Sequence, residues 1–356
     1  MSDVPTGRPA PARVGTGKSA TIYDIARAAD VSHQSVSRYM RGLVMRTTTK
    51  AKIEKALETL DYKPNLTARA LTTGRSNRIG ALTHEIHQVG PGRIIQGATS
   101  AAREAGYLLD VISLDMGDAD EINQALAQLT QYNLAGILAF DSTDSVRAVF
   151  QQTDFGVPVV IAGETDAPDP HGPSEVATRG IEELVDHLAA LGHRRFLHIA
   201  GPEDWAAARN RRQSFEAAVH RRGLETVGIV HGDWSARSGH DAIRHWPDAD
   251  LPTAIMAAND QMALGAMHAL GARGLRVPGD ISITGVDDTP EAEYFSPSLT
   301  TIRLDFRAQG RRAVTTLLDQ LEPDREPSPP VAPADSPVVL RDSTAIARDP
   351  VLGTRI

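Results

Sequence analysis

Residues 21–40 read TIYDIARAADVSHQSVSRYM. Thr21 and Asp24 have the spacing of a capping box, in which each side chain bonds to the backbone of the other residue, so we expect a helix to begin at Ile22. A turn fits at Asp30 and the valine after it. The stretch therefore predicts two short helices joined by a tight turn, the arrangement of a helix-turn-helix.

The second helix is expected to run from His33 to Arg41, with Ser32 as its N-cap. Val36 and Met40, four residues apart, face inward. The opposite face carries side chains that can all donate hydrogen bonds, and none of them is acidic: His33, Gln34, Ser37, Arg38 and Arg41. Glutamine and arginine can make bidentate contacts with base edges in the DNA major groove, so this face favours DNA binding. The alternative is an ordinary bundle of three helices with a polar face.

The first quarter of the chain, which also contains a third predicted helix from Thr49 to Asp61, is basic. Residues 1–78 hold 14 Lys and Arg against 6 Asp and Glu, a net charge of +8, whereas the remaining residues hold 23 against 39, a net charge of −16. A basic segment on an acidic body indicates that one small domain meets a polyanion while the rest has another task. The alternative is a solvated basic tail.

The composition excludes several classes of chemistry. The chain has 356 residues and no cysteine, which excludes disulfides, thiol nucleophiles and cysteine-ligated metals. The last of its five lysines is Lys63, so the rest of the chain has neither a Schiff-base lysine nor a P-loop lysine. His84 and His87 could suggest a metal, but they have no partner cluster, and a loop lining a cleft is the better interpretation. We expect no enzyme activity, no metal and no cofactor.

The N-terminal 20 residues lack the apolar stretch of a secretory signal, and no run of about 18 apolar residues could span a membrane. We therefore expect a cytoplasmic protein that makes no use of a membrane.

From Ile79 onward, short apolar runs alternate with helical patterns. The predicted strands are IGAL from Ile79, LLDVISL from Leu108, GILAF from Gly136, VPVVIA from Val157, FLHIAG from Phe196, TAIMAAN from Thr253 and ISITG from Ile281. The predicted helices are Ile94 to Ala105, Ile122 to Tyr132, Glu175 to Leu191, Ala206 to Arg222, Gln261 to Gly271 and Phe306 to Leu321. This alternation predicts doubly wound parallel sheets, and its length favours two similar lobes.

These observations divide the chain into a series of segments. They are a disordered basic arm (1–20), an all-α helix-turn-helix domain (21–64), a hinge or linker (65–77), an α/β core (78–345) and a tail (346–356). Within the core, the N-lobe is expected at about 78–174 plus 306–334, and the C-lobe at about 175–305 plus 335–345.

Polar and aromatic groups follow several strands of the core, where open α/β sheets bind ligands. These groups lie in the runs AGP from Ala200, ARNR from Ala208, GDWSARSG from Gly232, ANDQ from Ala258 and GVDDT from Gly285. Arginine and carboxylate groups can bind hydroxyls, and a tryptophan face can stack on a sugar ring, so the set suits a neutral polyol. The alternatives are that Trp234 is a plain core residue and that Asp260 is a helix cap.

The run TIYDIARAADVSHQSVSRYMRG, residues 21–42, resembles the DNA-binding headpiece of the lactose repressor (LacI/GalR) family. Tyr62 to Leu71, YKPNLTARAL, resembles the hinge of that family. The strand-end runs of the core have counterparts in the same family, so the resemblance extends from Thr21 to Ala345. It implies a core similar to the periplasmic sugar-binding proteins.

By this resemblance, His33, Gln34 and Arg38 read the bases, with Ser37 on the same helix. The residues expected to hold phosphates are Thr21, Tyr23, Ser32, Ser35 and Asn65. Arg41 stands where the family usually has asparagine, and a phosphate contact is our interpretation. Ala68 and Leu71 belong to a hinge too short to be a stable helix alone. The family implies that the hinge folds on DNA and that Leu71 wedges into the minor groove; the alternative for Leu71 is a core or linker leucine.

In the core, the resemblance implies that Arg209 and Asn259 bind sugar hydroxyls, that Trp234 stacks on the ring and that Asp287 accepts from hydroxyls. It places Phe306 near the crossover between the lobes. Where many family members have an Asn-Pro-Phe-Phe-like loop, this chain has HEIHQVGPG at 84–92, which leaves the identity of the ligand open.

The resulting expectation is a homodimeric repressor that leaves double-stranded operator DNA when a small sugar, of galactoside type or another glycoside, binds between the lobes. Val338 to Thr344 resembles the final strand of the family, and a dimer is expected because only twelve residues, without heptads, follow it. The alternatives are a regulator that uses a corepressor, a sugar-binding transport protein and a carbohydrate-active enzyme.

Overall fold

A computed structural model describes residues 20–40, 43–60, 62, 76–84, 86, 88–114, 124, 126–128, 131–140, 143–164, 173–322 and 337–348. The chain divides into two units, Met1–Arg75 and Ser76–Ile356. The N-terminal arm as far as residue 19, Arg41, the hinge residues Asn65, Ala68 and Leu71, and residues 349–356 lie outside the described residues.

The first unit contains the three predicted helices: α1 (Ile22–Ala29), α2 (His33–Met40) and α3 (Thr47–Thr59). The capping box is confirmed, because the Thr21 amide donates to Asp24 Oδ2 at 2.9 Å and the Asp24 amide donates to Thr21 Oγ1 at 3.4 Å. Asp30 ends α1 in the left-handed conformation, with φ of 51°. The α3 helix begins and ends two residues earlier than the sequence indicated.

A small apolar core holds the three helices together. Ile25 of α1, Val36 of α2 and Ile53 of α3 are fully buried, one from each helix. Leu57 and Leu60, which the helical spacing placed on the inner face, pack against this cluster while half-buried. The polar residues of α2 are left on the outside.

The second unit begins with a parallel sheet in the order β2-β1-β3-β4. Its strands are β1 (Arg78–His84), β2 (Leu108–Leu114), β3 (Gly136–Ala139) and β4 (Val159–Ile161). Helices α4 (Val89–Glu104) and α5 (Asp144–Gln152) follow β1 and β3.

A second sheet has the order β10-β9-β8-β7-β5-β6. Its strands are β5 (Arg195–Ala200), β6 (Glu225–His231), β7 (Ala254–Ala257), β8 (Ser282–Asp287), β9 (Thr300–Arg303) and β10 (Val338–Val339). The α-helices among them are α6 (Pro173–Ala190), α7 (Ala206–Arg221), α8 (Ala236–Arg244) and α9 (Asp260–Ala272). All pairings are parallel except β10 with β9. The expected architecture of two mostly parallel sheets is confirmed.

The chain crosses between the sheets after β9. Helix α10 (Phe306–Leu321) follows a strand of the second sheet but packs its buried face on the first, against α4. The chain then returns to add β10 to the second sheet. We refer to the parts built on the first and second sheets as the N-lobe and the C-lobe.

Four elements, β6, β9, α5 and α8, were not among the predicted ones. Strand β6 is a sheet edge whose residues are at most half-buried, and its sequence starts with polar residues. Strand β9 buries two threonines, Thr300 and Thr301, and only one aliphatic side chain, Ile302. The predicted helix from Ile122 to Tyr132 lies largely outside the described residues. Among the residues that are described, no helix is long and apolar enough to cross a membrane.

Glycines allow the pair α4 and α10 to meet backbone to backbone. A Cβ atom built on Gly310 would lie 2.0 Å from the carbonyl oxygen of Ile94, and one built on Gly97 would lie 2.1 Å from that of Arg307. Both distances are far below van der Waals contact with atoms that cannot rotate away. The contact fixes α10, and with it Phe306, relative to the first sheet.

Substituting Gly310→Ala should therefore separate the two helices and lower the free energy of unfolding by about 1–3 kcal/mol, as overpacked cores do. Gly271→Ala in α9 is the matched control, since no atom lies within 4 Å of its added Cβ. In the control the change should be neutral or stabilising by up to about 1 kcal/mol, because alanine is the better helix former. Urea unfolding of both variants measures the difference, and equal stabilities would contradict the assigned contact.

Candidate functional site

The candidate DNA interface is the outer face of α2. His33, Gln34 and Arg38 are exposed, and Arg38 Nη2 donates to the carbonyl oxygen of Val44 at 3.2 Å. The exposed ring of Tyr23 lies 5.5 Å from that of His33, centroid to centroid. The described part of α2 has no acidic residue. The face can thus approach a polyanion.

Several other headpiece residues with predicted DNA contacts also stabilise the ends of the helices. Ser32 Oγ accepts from the Ser35 amide at 3.1 Å, and the two hydroxyls lie 3.0 Å apart, so Ser32 is the expected N-cap of α2. Thr21 caps α1 and is itself exposed. Ser37 is half-buried on α2. The DNA contacts assigned to these residues stay predictions.

The candidate effector site is a cavity of about 370 Å³ in the second unit. Its lining comes from both lobes, at the ends of strands β3, β4 and β8, the start of α10 and the first turn of α7. A volume of this size is in the range of small-molecule sites. Of the five core residues predicted from sequence, four line the cavity: Trp234, Asn259, Asp287 and Phe306.

Arg209 does not line the cavity, and Arg211 does. Arg209 Nη1 donates to the carbonyl oxygen of Glu203 at 2.9 Å, toward the end of the loop before α7. Residues two apart lie on nearly opposite sides of a helix, so only one of these arginines can face inward. The arginine that faces the cavity is therefore Arg211, one of the buried residues of α7 together with Ala208 and Phe215, whereas Arg209, for which a sugar contact was predicted, bonds to the loop before the helix.

The Arg211 guanidinium lies at the centre of the site, with only 6% of its side chain exposed. Its Nη1 donates to the carbonyl oxygen of Ala258 at 2.6 Å and lies 3.5 Å from Asp287 Oδ1. Its Nη2 lies 3.8 Å from Glu164 Oε1. The guanidinium carbon is 5.4 Å from the centre of the Trp234 ring, within the range of a cation–π contact.

Asn259 positions Trp234 and caps α9. Its Oδ1 accepts from the Met262 amide at 2.9 Å, and its Nδ2 donates to the carbonyl oxygen of Trp234 at 2.9 Å. The helix-cap role considered for Asp260 thus belongs to Asn259. Asn259 borders the cavity, but both ends of its amide are engaged within the protein.

Asp260 binds the backbone of the loop after β8. It is fully buried, and its two oxygens accept from the Thr289 amide at 2.8 Å and from Thr301 Oγ1 at 2.5 Å. Burial, and then the nearby charge of Asp287, raise the pKa of Asp260 above the usual aspartate value.

The backbone is strained at the site itself. Trp234, Asp287 and Asp288 have φ of 68°, 116° and 52°, backbone angles that residues other than glycine rarely adopt. Such strain persists only where the surroundings enforce it, and it concentrates at binding sites. The bond from Asn259 to the Trp234 carbonyl oxygen is one such enforcement.

Three buried polar atoms of residues that line the cavity have no hydrogen-bond partner among the described residues. They are the donors Trp234 Nε1 and Arg211 Nε and the acceptor Asp287 Oδ1, the last of which forms an ion pair with Arg211. Asp287 is 6% exposed, and burial raises its pKa although Arg211 opposes the shift. Unsatisfied buried polar groups cost free energy. A ligand that brings both a hydroxyl donor and an acceptor would remove that cost.

The wall from the N-lobe has a different character. Its apolar side chains are Ile94, Phe140, Val160, Ile161, Ala162 and Ala313. Its polar members are Thr83, Gln88, Glu164, Gln309, Arg312 and Thr316. Gln88, Gly90 and Pro91 of the 84–92 run also line the cavity. The described residues contain no group of three or more histidines and carboxylates that could hold a metal.

Sequence reasoning missed Glu164, Trp205 and Arg211. The spacing of the buried residues Ala208, Arg211 and Phe215 is the inward face of α7 and could have identified Arg211. Trp205 packs edge-on against Trp234, with ring centres 5.6 Å apart. Nothing local marks Glu164, because its partners lie in the other lobe.

Comparisons with known proteins find relatives of both units of the chain. Residues 21–65 match the model of "Bacterial regulatory proteins, lacI family", and residues 185–344 match that of a periplasmic binding protein-like domain. The lactose operon repressor of Escherichia coli K12 is 33% identical over 306 residues, covering 85% of this chain and 84% of that protein. The ribose operon repressor of the same organism is 30% identical over 312 residues, covering 85% and 93%.

Among solved structures, the crystal structure of the lac repressor dimer bound to operator and the anti-inducer ONPF is similar, with a TM-score of 0.79 and 30% identity. The alignment covers 92% of this chain and all of that one.

The buried carboxylates predict a pH dependence of stability. Asp260 and Asp287 have raised pKa values, so above about pH 6.5 the folded state keeps protons that the unfolded chain has released, and raising the pH favours unfolding. The buried His193 and His198 have lowered pKa values and unfolded histidines lose their protons around pH 6.5, so these residues oppose the fall at the lower end of the range but no longer above about pH 7.5. We expect the free energy of unfolding to fall between about pH 6.5 and 8.5.

The Asp287→Asn variant should flatten this slope, because it removes one titrating group and its effect on Asp260. Asp204→Asn, at an exposed position, is the control and should keep the wild-type slope. Urea unfolding across the pH range measures both, and an unchanged slope in Asp287→Asn would refute the assignment.

Proposed function

The chain belongs to the lacI family of bacterial regulatory proteins and is a DNA-binding transcriptional repressor, and we propose that a neutral sugar bound in its core cavity releases it from its operator. The ligand is proposed to be a galactoside or another glycoside. The observation that supports this proposal is the set of buried atoms at the cavity without a hydrogen-bond partner, namely Trp234 Nε1, Arg211 Nε and Asp287 Oδ1. Because a repressor acts on chromosomal DNA, the proposed compartment is the cytoplasm.

The two walls of the cavity suit the two ends of a glycoside. On the C-lobe wall, Asp287 accepts from a ring hydroxyl, Arg211 donates to a ring oxygen and the Trp234 face packs on the C–H groups of the ring. On the N-lobe wall, Ile94 and Phe140 offer apolar surface to the group joined to the anomeric oxygen. A glycoside satisfies both walls, whereas a fully apolar ligand would leave the polar atoms unpaired.

The headpiece is proposed to bind duplex DNA through α2, two headpieces of a homodimer meeting the two halves of an operator. His33, Gln34 and Arg38 contact base edges, and Ser37 lies beside them. Residues proposed to contact phosphates are Thr21, Tyr23, Ser32, Ser35, Arg41 and Asn65. Ala68 and Leu71 are proposed for the hinge, with Leu71 entering the minor groove.

The DNA-binding face and the effector cavity are linked if each ligand binds one conformational state of the protein more tightly than the other. The effector releases DNA only if it binds the DNA-incompetent state more tightly, and DNA then weakens effector binding by the same factor. A ligand that contacts both lobes can sense their relative position, which is the property this linkage requires.

Arg38→Ala should weaken operator binding about tenfold or more and relax base preference at the contacted position, because a bidentate base contact is worth roughly 1–3 kcal/mol. Lys52→Ala in α3 removes the same charge away from α2 and should change affinity by less than about threefold. Fluorescence anisotropy with an operator selected from random duplexes measures both variants. Equal losses in the two would mean that Arg38 supplies charge alone.

Arg211→Gln should abolish release of the operator by ligand while leaving ligand-free operator binding within about threefold, since the headpiece is unchanged. Arg209→Gln is the matched control and should respond to ligand as the wild type does. A gel-shift screen with alkyl and aryl galactosides, glucosides and free sugars identifies the ligand first. If ligands strengthen operator binding instead, the protein uses a corepressor; a response retained by Arg211→Gln and lost by Arg209→Gln would overturn the assignment.

A further inference from the structure

Glu164 extends from the N-lobe to the C-lobe at the edge of the cavity. It follows β4, and its Oε2 accepts from Asn210 Nδ2 of α7 at 3.2 Å. Its Oε1 lies 3.8 Å from Arg211 Nη2, and only 10% of the side chain is exposed. Its backbone carbonyl oxygen accepts from Arg147 Nη2 at 3.1 Å, which anchors the residue to its own lobe.

This placement leaves Arg211 between two buried carboxylates, one from each lobe. Asp287 belongs to the end of β8 and Glu164 to the end of β4, and both lie within 4 Å of the guanidinium. The Glu164 carboxylate therefore already offsets the positive charge that would attract an acidic ligand. The other arginine of the lining, Arg312, lies on α10.

We propose that Glu164 is a specificity-determining residue, whose carboxylate occupies the anion position beside Arg211 and so excludes phosphorylated and acidic sugars from the effector site. This inference rests on the proposed function and goes beyond it, because it states which charge class of sugar the site rejects. A neutral hydroxyl can bind to Asp287 and Trp234 with Glu164 in place. A phosphate or carboxylate would either displace Glu164, leaving a buried charge unpaired, or lie beside it and be repelled.

The proposal can be tested without knowing the effector, by removing the Glu164 carboxylate and offering a small anion in its place. In Glu164→Ala, Arg211 loses an ion-pair partner and Asn210 loses a hydrogen-bond acceptor, and the volume of the missing carboxylate becomes available next to a positive charge. A small anion of similar shape should fill that position, as phosphate and carboxylate groups both accept from arginine.

The experiment titrates inorganic phosphate, and separately formate, into wild type, Glu164→Ala and Glu164→Gln at constant ionic strength. Calorimetry gives the affinity and thermal unfolding gives the stabilisation. We expect Glu164→Ala to bind phosphate at least tenfold more tightly than the wild type. Glu164→Gln, which removes the charge but keeps the volume, should gain at least threefold, and it carries the test alone if the alanine variant does not fold.

Two controls locate the anion. Glu203→Ala removes an exposed carboxylate 3.6 Å from Arg212, outside the cavity lining, and should leave phosphate affinity unchanged. Adding Arg211→Gln to Glu164→Ala should abolish the gain. The proposal is overturned if wild type binds phosphate as tightly as Glu164→Ala, if Glu203→Ala gains equally, or if the gain survives the loss of Arg211.

Failure of this inference can be told apart from failure of the proposed function. Phosphate binding is measured without DNA, so a gain in Glu164→Ala stands even if no glycoside releases the operator. Conversely, if a glycoside releases the operator while the Glu164 variants gain nothing, the site is an effector site whose charge selectivity has another origin.

Discussion

Arg211 carries a permanent positive charge into an enclosed cavity, and the free energy cost of that burial constrains everything around it. The protein offsets the cost with a backbone carbonyl oxygen, two carboxylates and the face of Trp234. Because Glu164 and Asp287 belong to different lobes, the Arg211 guanidinium that faces the cavity also connects the two lobes. A ligand that competes for Arg211 therefore acts on the relative position of the lobes as well as on its own binding.

The residues around this charge differ in what they do, although all lie near the ends of strands. Asn259 and Asp260 begin α9, and their side chains are used up in capping the helix and in holding the Trp234 carbonyl and the loop after β8. Trp234 and Asp287, held in strained backbone conformations, keep unsatisfied atoms. The hydrogen bonds of Asn259 and Asp260 thus help to hold Trp234 and Asp287 in the strained conformations of a preformed site.

Local signals in the sequence were sufficient for the headpiece and for most of the core. The capping box at Thr21, the cap at Ser32 and the apolar spacing along three helices depend only on neighbours within four residues, so they could be predicted. The edge strand β6 was not predicted because it begins with polar residues and is at most half-buried, so it lacks the continuous apolar run of a central strand. The sequence alone did not show that Arg211 rather than Arg209 faces the cavity, because the rotation of α7 against the sheet is set by tertiary packing. Glu164 could not be predicted at all, since its partner is 47 residues away in another lobe.

The two walls of the cavity divide the work of recognition. The C-lobe wall supplies fixed polar groups on a rigid frame, where α9 and β8 hold each side chain in one orientation. The N-lobe wall supplies apolar surface, the segment with Gln88 and Pro91, and the carboxylate of Glu164. Under the proposed function, affinity for a sugar ring depends on the first wall, and discrimination among sugars depends on the second. Because Glu164 both provides the proposed discrimination and contacts the other lobe, a ligand that displaces it would also break a contact between the lobes, which would couple selectivity to the response.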